Sequence, residues 1–231
     1  MKRTTMRLRA ASRTAIAVIA VFSLSVTLTL QARPRRKNQP KNGAAFSYYM
    51  LVLSYAPDFC AQPNGDKDTR ECGTGRQVGF IVHGLWPQGE TNRGPENCGS
   101  SSPVSQSIIA ATLRYIPTES LIQHEWKAHG SCSGLTAEDY FALVRKARDS
   151  VKIPEDLNQP DHQLQLNPAD FASKFTRANP GFGSEAFRIS CYPSQELQEV
   201  RICLNKDLSP RACGSSAGQC KADSVTMRPV R

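Results

Sequence analysis

The sequence predicts an α+β domain, a central antiparallel β-sheet with α-helices packed beside it and disulfides stapling the whole. Three observations predict it. "EAFRISCYP" (185–193) and "ELQEVRICL" (196–204) alternate at period two across a short turn, so they pair as an antiparallel hairpin. Separate segments carry helix starts, stops and apolar faces. Eight cysteines follow an export-type leader, and an even count in an oxidising compartment reads as four disulfides.

The elements follow in chain order. Residues 1–32 form a signal peptide: the basic stretch Met1 to Arg13, the uncharged run "AIAVIAVFSLSVTLTL", and a small residue, Ala32, at the cleavage point. As a membrane anchor the run falls short of the roughly twenty apolar residues a spanning helix requires. Residues 33–45, with "RPRRKNQPK", read as a basic flexible linker, and 46–231 as the folded domain. "FSYYMLVLSYAP" (46–57), rich in aromatic and branched residues, is a buried strand. "QVGFIVHGLWP" (77–87) sets Val78, Phe80 and Val82 on one side and Gly79, Ile81 and His83 on the other, a strand running into a Gly-Leu-Trp-Pro turn, so His83 sits at the strand's end. Residues 88–105 form a long loop with Cys98 as its staple. "LIQHEWKAHGSC" (121–132) is helical at its start, with Thr118 or Ser120 as cap, Ser120 and Gln123 matching a capping box, and Gly130 as the stop. "LTAEDYFALVRKARDSV" (135–151) is a helix capped by Thr136, with Tyr140, Leu143, Val144 and Ala147 on one face. Asn167-Pro168 opens another, "ADFASKFTRA", which stops at Asn179-Pro180-Gly181.

The net charge of +9 suggests a polyanion binder until its position is checked. Residues 1–41 hold ten Lys/Arg and no Asp/Glu, leaving 29 − 10 = 19 basic against 20 acidic residues. The folded part is therefore near neutral, and any case for nucleic acid has to come from a site. Eight cysteines allow 105 pairings, with sequence-local pairs such as Cys60–Cys72 the simplest guess.

The chemistry concentrates in two segments. Three of the four histidines, His83, His124 and His129, fall there together with both tryptophans, Trp86 and Trp126. His162, in "QPDHQLQ", reads as a loop residue. A zinc helix needs histidines at i and i+4; His124 and His129 are five apart, about 140° around a regular helix, so no metal is expected. "GSCSG" (130–134) has the outline of a nucleophile elbow, but the preceding residues are helical and Cys132 is more economically half of a disulfide. Two or three imidazoles with a carboxylate and a cation suit cleavage of RNA by its own 2′-hydroxyl, because imidazole can hold either protonation state near neutrality. Glu125, at i+4 from His129, shares its face and can orient that ring.

"FIVHGLWPQ" (80–88) and "HEWKAHGSC" (124–132), in that order, resemble the two active-site signatures of the ribonuclease T2 family, and the likeness extends over residues 46–220, including "NPGF" (179–182). The resemblance implies endonucleolytic cleavage of single-stranded RNA through 2′,3′-cyclic phosphates, without cofactor or metal and with low base specificity. It implies His83 and His129 as the acid–base pair, with His129 assigned as base and His83 as acid, His124 as the phosphate-binding histidine and Glu125 as the carboxylate beside it. It also implies Trp86 as an aromatic that stacks on a base, its alternative being a core tryptophan, and Gln88 as a base contact. The disulfides it implies are Cys60–Cys72, Cys98–Cys132, Cys191–Cys220 and Cys203–Cys213. Two positions depart from the pattern: Ala128 stands where the family usually has lysine, with Lys127 one residue earlier, and Gln88 stands where an acid is frequent. The protein is expected to be a secreted or periplasmic monomer without stable membrane association. The rival function is a non-catalytic secreted RNA-binding or inhibitory module that kept the fold, and Ala128 is its support.

Overall fold

The computed structural model describes residues 45–230 apart from 64, 66–68, 74, 76 and 100. The leader expected at 1–32 and nearly all of the linker at 33–45 lie outside the described residues. A four-stranded antiparallel sheet runs in the order β2-β1-β5-β4, from β1 (Tyr48–Tyr55), β2 (Phe80–Gln88), β4 (Phe187–Cys191) and β5 (Leu197–Leu204). The hairpin read from the sequence is β4 with β5. A small second sheet pairs β3 (Leu164–Leu166) with β6 (Val225–Met227). The helices are α1 (Ala56–Cys60), α2 (Thr69–Cys72), α3 (Gln106–Thr112), α4 (Glu119–Ala128), α5 (Ala137–Asp149), α6 (Glu155–Asn158) and α7 (Pro168–Ala178). None of the described helices is long and apolar enough to cross a membrane.

Tyr49, Leu51, Leu53 and Tyr55 of β1 face the larger core, where Val200, Ile202 and Leu204 of β5 and Ile189 of β4 meet Tyr140, Phe141, Val144 and Ala147 of α5 and Phe171 and Phe175 of α7. The α5 face is the one its sequence period predicts, with Thr136 capping through Asp139 N. Asn167 caps α7 in the same way through Asp170 N. The opposite face of the sheet carries a smaller cluster, Tyr48, Met50, Val52, Cys203 and Ala217, with Trp86 beside it.

Strand β2 corrects one expectation: Gly84 to Gln88 stay paired with β1 instead of turning, so His83 lies inside the strand and not at its end. Val52 pairs with Gly84 and Leu53 with Val82, so His83 has no partner on β1 and is the extra residue of a β-bulge. Strict period two would put His83 and Trp86, three apart, on opposite faces. The bulge resets the phase, so Val82 and Leu85 point into the larger core while His83, Gly84 and Trp86 share the other side.

Two readings of α4 are corrected. Its cap is Thr118, whose hydroxyl accepts from Leu121 N at 3.1 Å. Gln123, expected in a capping box with Ser120, instead bonds both backbone groups of Val104 and pins the incoming loop. Gly130 does not end the helix through a left-handed turn; it opens a 3₁₀ turn, Gly130–Cys132, and is needed for space, since a Cβ there would lie 2.3 Å from the Trp126 ring.

All four disulfides implied by the resemblance are present: Cys60–Cys72, Cys98–Cys132, Cys191–Cys220 and Cys203–Cys213. Cys132 is thereby removed as a nucleophile. The Cys98–Cys132 bridge lashes the 88–105 loop to the C-terminal end of α4, where Asn97 N donates to Ala128 O at 2.8 Å and Cys98 N to Ser131 Oγ.

Candidate active site

Helix α4 packs against β2, and the bulged face of the strand meets the polar face of the helix. Glu125, fully buried, reaches from α4 over Gly84. Its Oε2 accepts the indole N–H of Trp86 at 2.8 Å, and its Oε1 lies 3.6 Å from His83 Nε2. Gly84 has to be glycine here, because a Cβ would stand 1.8 Å from Glu125 Oε2 and 2.5 Å from Trp86 Nε1.

His129 is the residue on which α4 ends, with φ −120° and ψ −45°, so its side chain leaves the helical period that separates it from His124. Its ring stacks on Trp86 with centroids 4.8 Å apart and planes 24° apart. His83 meets the same indole edge-on at 5.1 Å. The two imidazoles therefore lie no further apart than the sum of those two distances, with Trp86 in contact with both. Glu125 does not turn its carboxyl to His129, as its i+4 position suggests; the bond it makes is to Trp86, and through that ring it supports His129 indirectly.

The other nitrogen of His83 has a partner that the sequence analysis missed. Nδ1 lies 2.8 Å from Oε1 of Glu199, a buried glutamate on β5. The Oε2 atom of Glu199 binds Arg201 through Nη2 at 2.8 Å and Nε at 2.9 Å. A glutamate at an alternating position of a hairpin strand was the available signal, but nothing in a linear pattern says that β1 lies between β5 and β2 with only Ser54 separating Glu199 from the bulge.

His124 is exposed and lines a cavity of about 350 Å³ together with Ser54, Glu71, His83, Tyr192 and Glu199. Gln88 lies further along β2, buried, with its side-chain oxygen accepting Gly94 N at 3.4 Å. Among the described contacts it makes none with the imidazoles. Ala128 is buried and Lys127 exposed. His162 is exposed and bonds Asp161, in keeping with its reading as a loop residue.

The environments push the two histidines apart. Burial pulls His129 down to about 4, helped by the positive charges of His83 and His124. For His83 partial burial acts downward too, but the bond to Glu199 and the charges of Glu125, Glu199 and Glu71 outweigh it, so the ring is held above its ordinary 6.5. Burial raises Glu125 to about 7, with His83 and the Trp86 bond acting against it. Burial also raises Glu199, yet its bonds to His83 and Arg201 prevail and leave it below the ordinary carboxylate value. The two shifts run in opposite directions, His83 up and His129 down, the separation that an acid and a base acting in one step would need.

A bulged strand carrying an imidazole and an indole meets a helix carrying two more imidazoles and a buried carboxylate, in an α+β domain with four disulfides. The chain matches the Ribonuclease T2 family over residues 46–213 and belongs to that family. It is 34% identical over 184 residues to a probable ribonuclease of Haemophilus influenzae, an alignment covering 74% of this chain and 62% of the relative. It is 34% identical over 174 residues to a ribonuclease of Aeromonas hydrophila, covering 70% of this chain and 73% of the relative. Among solved structures, an RNase-related protein from Calystegia sepium superposes with a TM-score of 0.63 at 21% identity, covering 80% of this chain and 98% of that one, which shows the shared fold.

Proposed function

We propose that this T2-family ribonuclease cleaves single-stranded RNA by transphosphorylation, with His129 as general base and His83 as general acid. The observation that carries the reading is the split between the two rings that touch Trp86, His129 with its pKa lowered and His83 with its pKa raised. His129 takes the proton of the ribose 2′-hydroxyl, and the oxygen so freed bonds to phosphorus. As the P–O5′ bond breaks, His83 donates the proton on Nε2 to the departing oxygen. The products are a 2′,3′-cyclic phosphate and a 5′-hydroxyl, and no metal or cofactor enters the balance.

We assign the phosphate to His124, a role implied by the family resemblance and supported by its exposure beside the cavity. With Ala128 where the family usually has lysine, positive charge for the phosphorane falls to His124 and to the imidazolium of His83. The accessible part of the Trp86 ring is the surface we assign to a base, in addition to its bonds within the site; that role, that of Gln88 and a low base specificity rest on the family resemblance. A 350 Å³ cavity suits a nucleotide-sized group. Four disulfides suit an oxidising compartment, and with the leader read from the sequence they support a secreted or periplasmic location.

The test is incubation of RNA with purified protein in excess EDTA. We expect RNA to be cut to fragments ending in 2′,3′-cyclic phosphate while DNA survives, since it lacks the attacking hydroxyl. Activity abolished by EDTA and restored by a divalent metal overturns the reading. Binding of RNA without any cyclic phosphate favours the non-catalytic module instead.

A further inference from the structure

On the reading of His83 given above, we propose that Glu199, clamped by Arg201, is the positioning residue of the site: by accepting Nδ1–H of His83 it fixes the ring so that Nε2–H is the proton delivered to the leaving oxygen. The geometry is a relay of four bonded groups reaching in from the sheet. Arg201 Nη1 donates to the carbonyl of Ala217 at 2.7 Å, and the guanidinium binds one oxygen of Glu199, leaving the other for His83 at 2.8 Å. Gly218, with φ +70°, sits so close that a Cβ there would lie 3.1 Å from Arg201 Nη1, so the loop closes on the guanidinium.

A purely structural ion pair would not need this division of labour. Arg201 alone satisfies the buried charge, whereas the second oxygen is directed across Ser54 at the bulged residue. The partner of one ring nitrogen dictates which nitrogen carries the exchangeable proton. The bonds to His83 and Arg201 together hold Glu199 below the ordinary carboxylate value despite its burial, so it orients the protonated ring without taking its proton. The other charged and titratable groups around His83 are Glu125, His124 and His129 from α4 and its end, Glu71 from α2 and Tyr192 after β4. Of these, Glu125 approaches Nε2 at 3.6 Å, whereas Glu199 faces Nδ1 at 2.8 Å and so bears on the tautomer.

The experiment compares the full chain with Glu199→Gln and Glu199→Asp, using a single-stranded oligoribonucleotide across pH and an NMR titration of the His83 ring. Glutamine can still accept a hydrogen bond but carries no charge. We expect kcat to fall about ten- to a hundred-fold, the cost of losing a partner that orients a histidine, and to fall by more than KM rises, because both oxygens of Glu199 are taken up by His83 and Arg201. Activity requires protonated His83, so removing the charge lowers its pKa and moves the alkaline limb of the pH profile to lower pH. The His83 NMR midpoint must move with it, and Glu199→Asp must recover part of both. A kcat loss with limb and midpoint unmoved overturns the proposal, as does wild-type activity in Glu199→Gln. Should the variants fail to fold, the unaltered protein decides: ¹⁵N shifts must show neutral His83 protonated on Nδ1, and a ring protonated on Nε2 overturns it. A wild-type protein that forms no cyclic phosphate sinks the enzymatic reading, while the NMR result still judges Glu199.

Discussion

Gly84→Ala is the smallest change that should disable the site. Alanine costs the backbone nothing in a strand, and no proposed proton carrier is altered. Its Cβ, however, would stand 1.8 Å from Glu125 Oε2. Restoring even 3.0 Å, a separation side-chain carbons essentially never undercut, requires the carboxylate to move by at least 3.0 − 1.8 = 1.2 Å. Glu125 is fully buried, so the movement breaks its 2.8 Å bond to Trp86 and disturbs the indole on which His83 and His129 both rest. A misplacement of about 1 Å in a catalytic constellation costs roughly a hundred-fold in rate. Leaving the buried carboxylate and indole N–H poorly paired costs about 1–3 kcal/mol. For a domain of this size that lowers Tm by about 2–12 °C. The assay is initial rate on a single-stranded oligoribonucleotide alongside a thermal melt followed by circular dichroism. Wild-type rate and wild-type Tm together would refute the claim that Glu125, Trp86 and the two imidazoles form one packed unit.

Two further predictions rest on the same cluster. Activity needs His129 neutral and His83 protonated, so kcat/KM should be bell-shaped, falling as pH drops through about 4 and falling again as pH rises past 6.5 through the raised pKa of His83; a single alkaline optimum contradicts the assigned roles. Trp86→Phe keeps a ring against His129 but removes the N–H that favours the charged form of Glu125. Since the folded pKa of Glu125, about 7, already exceeds its ordinary 4.5, stability contributed by this group is lost as pH rises through that window, and the variant should lose more Tm relative to wild type at pH 8 than at pH 5. Equal losses at both pH values would show that the indole bond does not reach Glu125's charge.

The long period-two and amphipathic segments were legible because their burial is one-sided: the β4–β5 hairpin, the Tyr140, Val144 and Ala147 face of α5, and the Asn167 cap of α7 stand where their residues put them. Helix α3 was not legible. Ser105 precedes it but makes no side-chain cap bond, and tertiary contacts from Ile109 hold it instead. The β3–β6 pair was beyond reach for another reason, since each strand is three residues long and its partner lies far along the chain. At the site, residue identities were legible and phase was not. Alternation alone sets His83 and Trp86 on opposite faces, and only the unpaired position opposite β1 brings them together. Glu199 escaped for a related reason, because an alternating glutamate declares its face only once the order of strands is known. Cysteine pairing required the family likeness, since spacing left every alternative open.

The unpaired position at His83 makes this cleft sensitive to arithmetic as much as to chemistry. On either side of it the ladder is locked, Leu53 against Val82 and Val52 against Gly84, so removing that one residue restores strict alternation, leaves both flanking pairs intact and takes the imidazole away with the bulge. Replacing a side chain in this strand alters one instrument; deleting a backbone unit retunes the whole string.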